Sequence, residues 1–326
     1  MDNKVEMALY DSLMGKHNYC EEWDWWTLSD RYSLDPVSPT GGPQKAKWIF
    51  CGGQASTVKR SSLDNMPDTE ISVFTEKDIA SPLVDAVKSK YKIAWLHECR
   101  GIHPWAYDLI LQVEHKFDYI ITFDEQLLKR KGKYIFGLTP GGSHLQKHDI
   151  QIFPKSKFMS MIVSKKGKDV VVSNHAKGHF LRHVISEHLI KRQYDIDLWG
   201  KAYKPFPVDR KIDTFKDYHF SLVVMNSSHK NYFTEVLSDC FRTGTVPILW
   251  GCDNIGDFFN EKGIIKFETP AQLKEILSTL TTQDYYDRME YIKDNFQRAE
   301  KYFQLDDRLV ELLIELDIIG EDGNVK

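Results

Sequence analysis

The sequence predicts an α/β protein made of two Rossmann-like, doubly wound units. Short apolar runs closed by glycine or polar turns alternate with one-faced helical patterns, the order expected of βαβ units around a mainly parallel sheet. This alternation runs through twice, with a break near residues 148–157. The length of 326 residues also favours two domains over one. We therefore expect a first domain over 1–155, a second over 156–300, and a terminal helical segment over 301–326.

Residues 1–45 show the least regularity. Trp23, Trp25 and Trp26 lie among acidic residues, and Pro36, Pro39, Gly41, Gly42 and Pro43 mark a loop. The expectation is an N-terminal helix docked through its tryptophans, with part of an acceptor surface as the alternative. Strands follow at 47–51, closed by Gly52-Gly53, and at 71–75. A helical pattern over 82–90 leads to strands at 91–96, 118–123 and 133–136, the last ending in a turn at 139–143.

The second series predicts strands at 158–163 and 169–173, then a helix over 180–193 with Phe180, Leu181, Val184, Ile185 and Leu189 on one face. Strands at 195–199, 220–225 and 246–250 bracket a helix over 232–243. Helices over 271–280, 285–304 and 308–319 close the chain. In open α/β sheets ligands bind beyond the carboxyl ends of the strands, so the loops there are where chemistry belongs.

Composition narrows the classes. Hydrophobic residues at 42% against 28% charged supply a core, which excludes disorder. Lys and Arg total 43 against 47 Asp and Glu, so no chain-wide basic footprint points to nucleic acid. No apolar run reaches the ~20 residues of a membrane span. The first residues carry no basic-then-apolar signal pattern, and a cytoplasmic protein is expected. Five cysteines without a CxxC pair argue against a zinc ribbon or a disulfide framework.

Residues 222–251 carry the most chemical information, reading as strand, polar loop, helix, glycine stop and strand. Asn231 is the expected N-cap, with Thr234 and Glu235 in the first turn. Phe233, Val236, Leu237, Cys240 and Phe241 fall on one buried stripe, leaving Glu235 on the opposite face, and Gly244 is placed to end the helix in the left-handed conformation. Unpaired N–H groups at such a helix start make an anion site suited to a diphosphate.

This segment resembles the signature of glycosyltransferase family 10, the α1,3/4-fucosyltransferases. Asn226-Ser227, Tyr232, Thr234-Glu235 and Val246-Pro247 through Gly251 match its order and spacing. Val172-Ser173-Asn174 with Arg182 is similar to the family's Ser-Asn…Arg element. Residues 195–200 and 217–221 also fall into line with it. In the first half, His97-Glu98, Phe117-Asp118-Tyr119 and Phe123-Asp124-Glu125 resemble the acceptor domain of bacterial members. Two departures stand out: Met225 replaces a family Glu, and Val236 replaces the Lys that contacts the donor's diphosphate, a charge that Lys230 is positioned in sequence to supply.

The resemblance implies a GT-B fold, two Rossmann-like domains facing a central cleft, with the terminal segment 301–326 packing back on the first. It implies an inverting, metal-independent transfer of a sugar, by default fucose from GDP-fucose, to a hydroxyl of a glycan acceptor. A different donor such as a UDP-sugar, or a carbohydrate-binding relative without turnover, are the competing readings. Glu98 would be the catalytic base, following the apolar run at 93–96, with Asp124 and Glu125 as substitutes. Donor binding would fall to Arg182 as a phosphate clamp with Lys177 as its register-shifted competitor, Asn226, Lys230, Tyr232, and Glu235 on the ribose hydroxyls. No cofactor is expected. Asp195-Ile-Asp197 is formally DxD but lies in an apolar strand and reads as structural, and His144 and His148 lack the Glu of a zinc-protease motif. No G-x-S-x-G elbow supports a hydrolase.

Overall fold

The computed structural model describes residues 4–10, 20–23, 45–51, 68–137, 143, 145–164, 177–206, 208–303 and 305–326. The strand expected at 169–173, the Val172-Ser173-Asn174 element, Trp25, Trp26, the Pro/Gly stretch at 36–43, Gly52-Gly53 and the residues 139–142 and 144 lie outside the described residues. The chain divides into two compact units, residues 1–142 with 304–326, and residues 143–303.

The strands are β1 (Val5–Tyr10), β2 (Cys20–Trp23), β3 (Ala46–Cys51), β4 (Ile71–Thr75), β5 (Tyr91–Trp95), β6 (Tyr119–Thr122), β7 (Tyr134–Phe136), β8 (Lys157–Ile162), β9 (Asp197–Trp199), β10 (Tyr218–Val224), β11 (Val246–Trp250) and β12 (Ile265–Lys266). The helices are α1 (Leu83–Ala86), α2 (Pro104–Val113), α3 (Glu125–Leu128), α4 (Lys177–Lys191), α5 (Glu235–Arg242), α6 (Pro270–Thr279), α7 (Thr282–Tyr286), α8 (Met289–Arg298) and α9 (Leu305–Glu315).

In the first unit the sheet order is β2-β3-β1-β4-β5-β6-β7. Every pairing is parallel except β2 with β3. Alternate residues of the central strands face opposite cores, as the period of two requires. Val5, Met7, Leu9, Val73, Ile93 and Trp95 pack with Leu309, Val310 and Leu313 of α9. Ala8, Tyr10, Phe74, Ala94 and Leu96 pack with Ala106, Tyr107 and Ile110 of α2. Helices on both faces make the unit doubly wound, and each buried aliphatic or aromatic side chain contributes roughly 1.5–3 kcal/mol.

Two expectations for the first unit are corrected. Residues 5–10 form a strand between β3 and β4, and residues 20–23 form a strand on β3, where a docked helix was expected. β1 is buried on both faces, so it reads as an apolar run broken only by Glu6. The helix expected over 82–90 stops at Ala86, with Val87 already extended towards β5.

In the second unit five parallel strands run in the order β12-β11-β10-β8-β9. The core joins Met159, Met161, Phe220, Leu222, Val224, Val246 and Ile248 to Ile185 and Leu189 of α4, Leu273 of α6 and Ile292 of α8. The single helix expected over 285–304 is broken into α7, α8 and a 3₁₀ turn at Ala299–Tyr302. A Thr281–Asp284 capping box starts α7, and Arg288 leaves helical geometry at φ −98°, ψ 7°. None of the described helices is long and apolar enough to cross a membrane.

Candidate active site

Strand β10 is buried throughout and delivers Met225 and Asn226 at its carboxyl end. The start of α4 lies directly on that end. Gly178 donates its N–H to the Asn226 carbonyl at 3.1 Å, and a Cβ on Gly178 would stand 1.7 Å from the Met225 carbonyl oxygen. Only glycine permits this approach. One turn further along α4, Arg182 Nε donates to the Val224 carbonyl at 2.7 Å and Nη2 to Asn226 Oδ1 at 2.8 Å. Asn226 Nδ2 in turn donates to the Tyr232 hydroxyl at 3.3 Å. Burial lowers the pKa of Arg182, partly countered by Tyr232 and Glu235.

The loop that follows is pinned at three points. Asn231 adopts φ 62°, its N–H donates to Asn254 Oδ1 at 2.7 Å, and Asn254 Nδ2 returns a bond to Asn231 Oδ1 at 2.7 Å. Tyr232 and Phe233 are fully buried, Phe233 against Phe258, Phe259 and Tyr302. Met225 is fully buried under Gly251, where a Cβ would approach it to 2.8 Å. The helix cap falls at Thr234 and the helix begins at Glu235, so the expected Asn231 cap is corrected. The left-handed backbone of Asn231 and its exchange with Asn254 commit that residue to the turn instead. Gly244 ends α5 at φ 72°, as expected.

Behind Glu235 lies a cation that no local pattern announced. Lys211 Nζ is 3.1 Å from Glu235 Oε1 and 2.9 Å from Asp239 Oδ2, and the Ser143 hydroxyl donates to Asp239 Oδ1. Lys211 and Asp239 are buried. Burial by itself would lower the Lys211 pKa, but Asp239 and Glu235 outweigh it and raise the value. The one sequence signal was the i,i+4 spacing of Glu235 and Asp239 on α5, which puts two acids on neighbouring positions of one helix.

At the carboxyl end of β5 in the first unit, Glu98 is half-buried. Its N–H and that of His97 both donate to Glu76 Oε1, at 2.9 and 2.7 Å, and its carbonyl accepts from the Tyr107 hydroxyl at 2.6 Å. Asp124 caps α3 through the Leu127 N–H and takes a two-pronged bond from Arg100 at 2.7 and 3.1 Å. Glu125 is exposed.

Residues 162–312 match the family described as Glycosyltransferase family 10 (fucosyltransferase) C-term. Just under half of the chain is thus similar to the carboxyl-terminal domain of family 10 glycosyltransferases. A 3-galactosyl-N-acetylglucosaminide 4-alpha-L-fucosyltransferase of Bos taurus is 25% identical over 150 residues, 44% of this chain and 38% of that protein's length. Anabaena HepE, solved with UDP-glucose, superposes with a TM-score of 0.57 at 9% identity, covering 96% of this chain and 100% of that one. An alpha-glucosyltransferase solved with UDP and DNA gives 0.54 at 12% identity, covering 96% and 99%. The fold is GT-B, with two parallel-sheet Rossmann-like domains.

Within the matched segment, the structure brings Arg182, Asn226, Tyr232 and Glu235 together around the end of β10 and the start of α5. Lys230 lies exposed on the loop, Lys177 is exposed at the start of α4, and Val236 is half-buried on α5. The Met225 position of the family 10 signature is an interior one here, packed beneath Gly251 and beside Thr234. Asp197 of the formal DxD is committed to the Tyr218 hydroxyl and Lys157 Nζ, and its pKa is lowered chiefly by the Tyr218 hydrogen bond. No group of three or more metal-ligating side chains occurs among the described residues.

Proposed function

We propose that this protein is an inverting glycosyltransferase that moves a sugar, fucose from GDP-fucose by default, to a hydroxyl of a glycan. The observation that carries the reading is the hydrogen-bonded cluster of Arg182, Asn226 and Tyr232 at the end of a parallel strand, beside Glu235 at a helix start. Nucleotide diphosphates bind at such strand-to-helix junctions of α/β sheets. Glu235 Oε1 is held by Lys211, which orients the carboxylate to accept from the ribose hydroxyls. The Arg182 charge and the first N–H groups of α5 meet the negative charge that develops on the leaving diphosphate.

In this reaction Glu98 takes the proton of the acceptor hydroxyl as that oxygen attacks the anomeric carbon. The carbon–oxygen bond to the diphosphate breaks, its electron pair leaves with the phosphate, and the transition state is oxocarbenium-like. The charge on the leaving group is met by protein cations and amide dipoles, without a required metal. The relative from Bos taurus, named for a galactosyl-N-acetylglucosaminide, supports a glycan acceptor of that kind.

Val236, in place of the family's Lys, favours a second reading in which the donor is a UDP-sugar. A thermal-shift panel of GDP, UDP, ADP and CMP, with and without magnesium, separates the two. A nucleotide at about 100 times its Kd adds about 2.7 kcal/mol, enough to see. A magnesium-independent shift with GDP alone supports the fucosyl reading, a shift with UDP alone replaces it, and no shift with any nucleotide removes glycosyl transfer.

A further inference from the structure

Glu76 is an anomaly in the first unit. It follows β4 directly, is 1% exposed, and adopts φ 45°, a left-handed conformation that costs a non-glycine residue roughly 1–3 kcal/mol. Its carboxylate is divided between two tasks. Oε1 accepts the N–H groups of His97 and Glu98, and Oε2 stands 3.0 Å from His103 Nδ1. In the neutral imidazole, a buried carboxylate accepting at Nδ1 places the proton on that nitrogen and leaves the lone pair on Nε2.

His103 is the N-cap of α2, and its side chain is 21% exposed. Among the described residues its Nε2 has no hydrogen-bond partner. Two residues on, the Trp105 ring lies 5.2 Å from the imidazole and is 40% exposed, whereas the next aromatic of the helix, Tyr107, is fully buried. The 98–103 turn is closed by Ile102 and His103 N–H bonds to the Cys99 carbonyl at 2.8 and 2.9 Å. An exposed indole, an imidazole and a candidate base therefore share one short segment that runs into α2, tied from behind by one strained acid. An aromatic face with a polar group at its edge fits a sugar ring, whose apolar face stacks while a hydroxyl bonds.

We propose that the Glu98–Trp105 loop is a sugar-binding subsite for the acceptor, with Trp105 as its stacking face, His103 Nε2 accepting a sugar hydroxyl, and Glu76 as the positioning residue that holds both His103 and the Glu98 backbone. This rests on the glycosyl-transfer reading for the word acceptor, but the binding of sugar to this loop is tested separately from turnover. Glu76→Gln is the informative change. It retains an oxygen for the two backbone amides and turns an NH₂ towards Nδ1, which moves the imidazole proton to Nε2 and converts an outward acceptor into a donor.

The experiment uses the full chain and two probes, a β-galactosyl-N-acetylglucosaminide and methyl N-acetylglucosaminide, with binding read by saturation-transfer NMR. The His103 tautomer is read from ¹⁵N shifts, and nucleotide binding is followed in parallel by thermal shift. Trp105→Ala is expected to weaken saccharide binding about tenfold, ~1.4 kcal/mol, with nucleotide shifts unchanged. His103→Gln and Glu76→Gln should each weaken it too, the latter with the proton found on Nε2. Saccharide binding unchanged in Trp105→Ala and His103→Gln overturns the subsite, as does a wild-type chain that binds neither probe. Loss of nucleotide shifts in the wild type would strike the transfer reading alone, because the saccharide measurement does not depend on it.

Discussion

Lys211 and Glu235 form an ion pair of 3.1 Å across 24 positions of sequence, and the same ammonium lies 2.9 Å from the buried Asp239. One lysine thus neutralises part of the charge of two acids at the start of α5. Removing it leaves Asp239 buried and uncompensated, and breaking such a pair from one side typically costs about 3–5 kcal/mol. Lys211→Met should lower the melting temperature by several degrees and weaken nucleotide binding. Lys211→Met combined with Asp239→Asn should recover much of the stability. A single variant that melts like the wild type would show that the ammonium is not needed.

Gly178→Ala is expected to be more disruptive than its size suggests. Its Cβ would meet the Met225 carbonyl at 1.7 Å and the Asn226 carbonyl carbon at 2.8 Å, both of them backbone. The start of α4 must then withdraw, taking Arg182 away from Val224 and Asn226. Thermal melting and nucleotide binding should both fall. Retained nucleotide affinity with lowered stability would separate Arg182 from the binding site.

Glu98→Ala tests the base directly. Losing a general base should reduce kcat by roughly 10²–10⁴-fold while leaving nucleotide affinity unchanged. The Glu98 backbone contacts to Glu76 and Tyr107 do not need its side chain and should persist in the variant. A wild-type kcat would move attention to Asp124, whose carboxylate is already engaged by Arg100.

Lys155 provides a pH signature for the second unit. Its ammonium donates to the Lys216 and Thr243 carbonyls and to Thr245 Oγ1, and burial pushes its pKa from 10.5 down to about 7. Between these two values the unfolded chain holds a proton that the folded chain lacks, so unfolding takes up a proton and stability rises with pH across the window. The limiting slope is about 1.4 kcal/mol per pH unit, and it vanishes below about pH 7, where both states are protonated. Subtracting the stability-versus-pH curve of Lys155→Met from that of the wild type should reveal this rise between pH 7 and 10. A flat difference would show that Lys155 remains charged in the fold.

Much of the architecture was legible because local chemistry repeats it. The runs at 47–51, 71–75, 91–96 and 246–250 are strands and read as largely apolar stretches, and 71–75, 93–96 and 246–249 are buried on both faces. The stripe from Phe233 to Phe241 marks α5, and Gly244 ends it. β1 escaped notice because Glu6 interrupts it and because its central place depends on β3, about forty residues later, and β4. The cap of α5 fell at Thr234 because Asn231 is claimed by Asn254, a partner no window around 231 contains.

Periodicity and spacing are properties of neighbouring residues, and they already contain the alternation of strand and helix, the two α/β series and the motif Asn226-Ser227, Tyr232, Thr234-Glu235. Tertiary structure alone decided that Arg182 reaches the end of β10, that Lys211 lies between Glu235 and Asp239, and that Glu76 grips Glu98 and His103. These pairings join side chains brought together by crossover connections and sheet order. The energy of a buried charge depends on which partner the fold places within about 3 Å of it, and that distance is written nowhere along the chain.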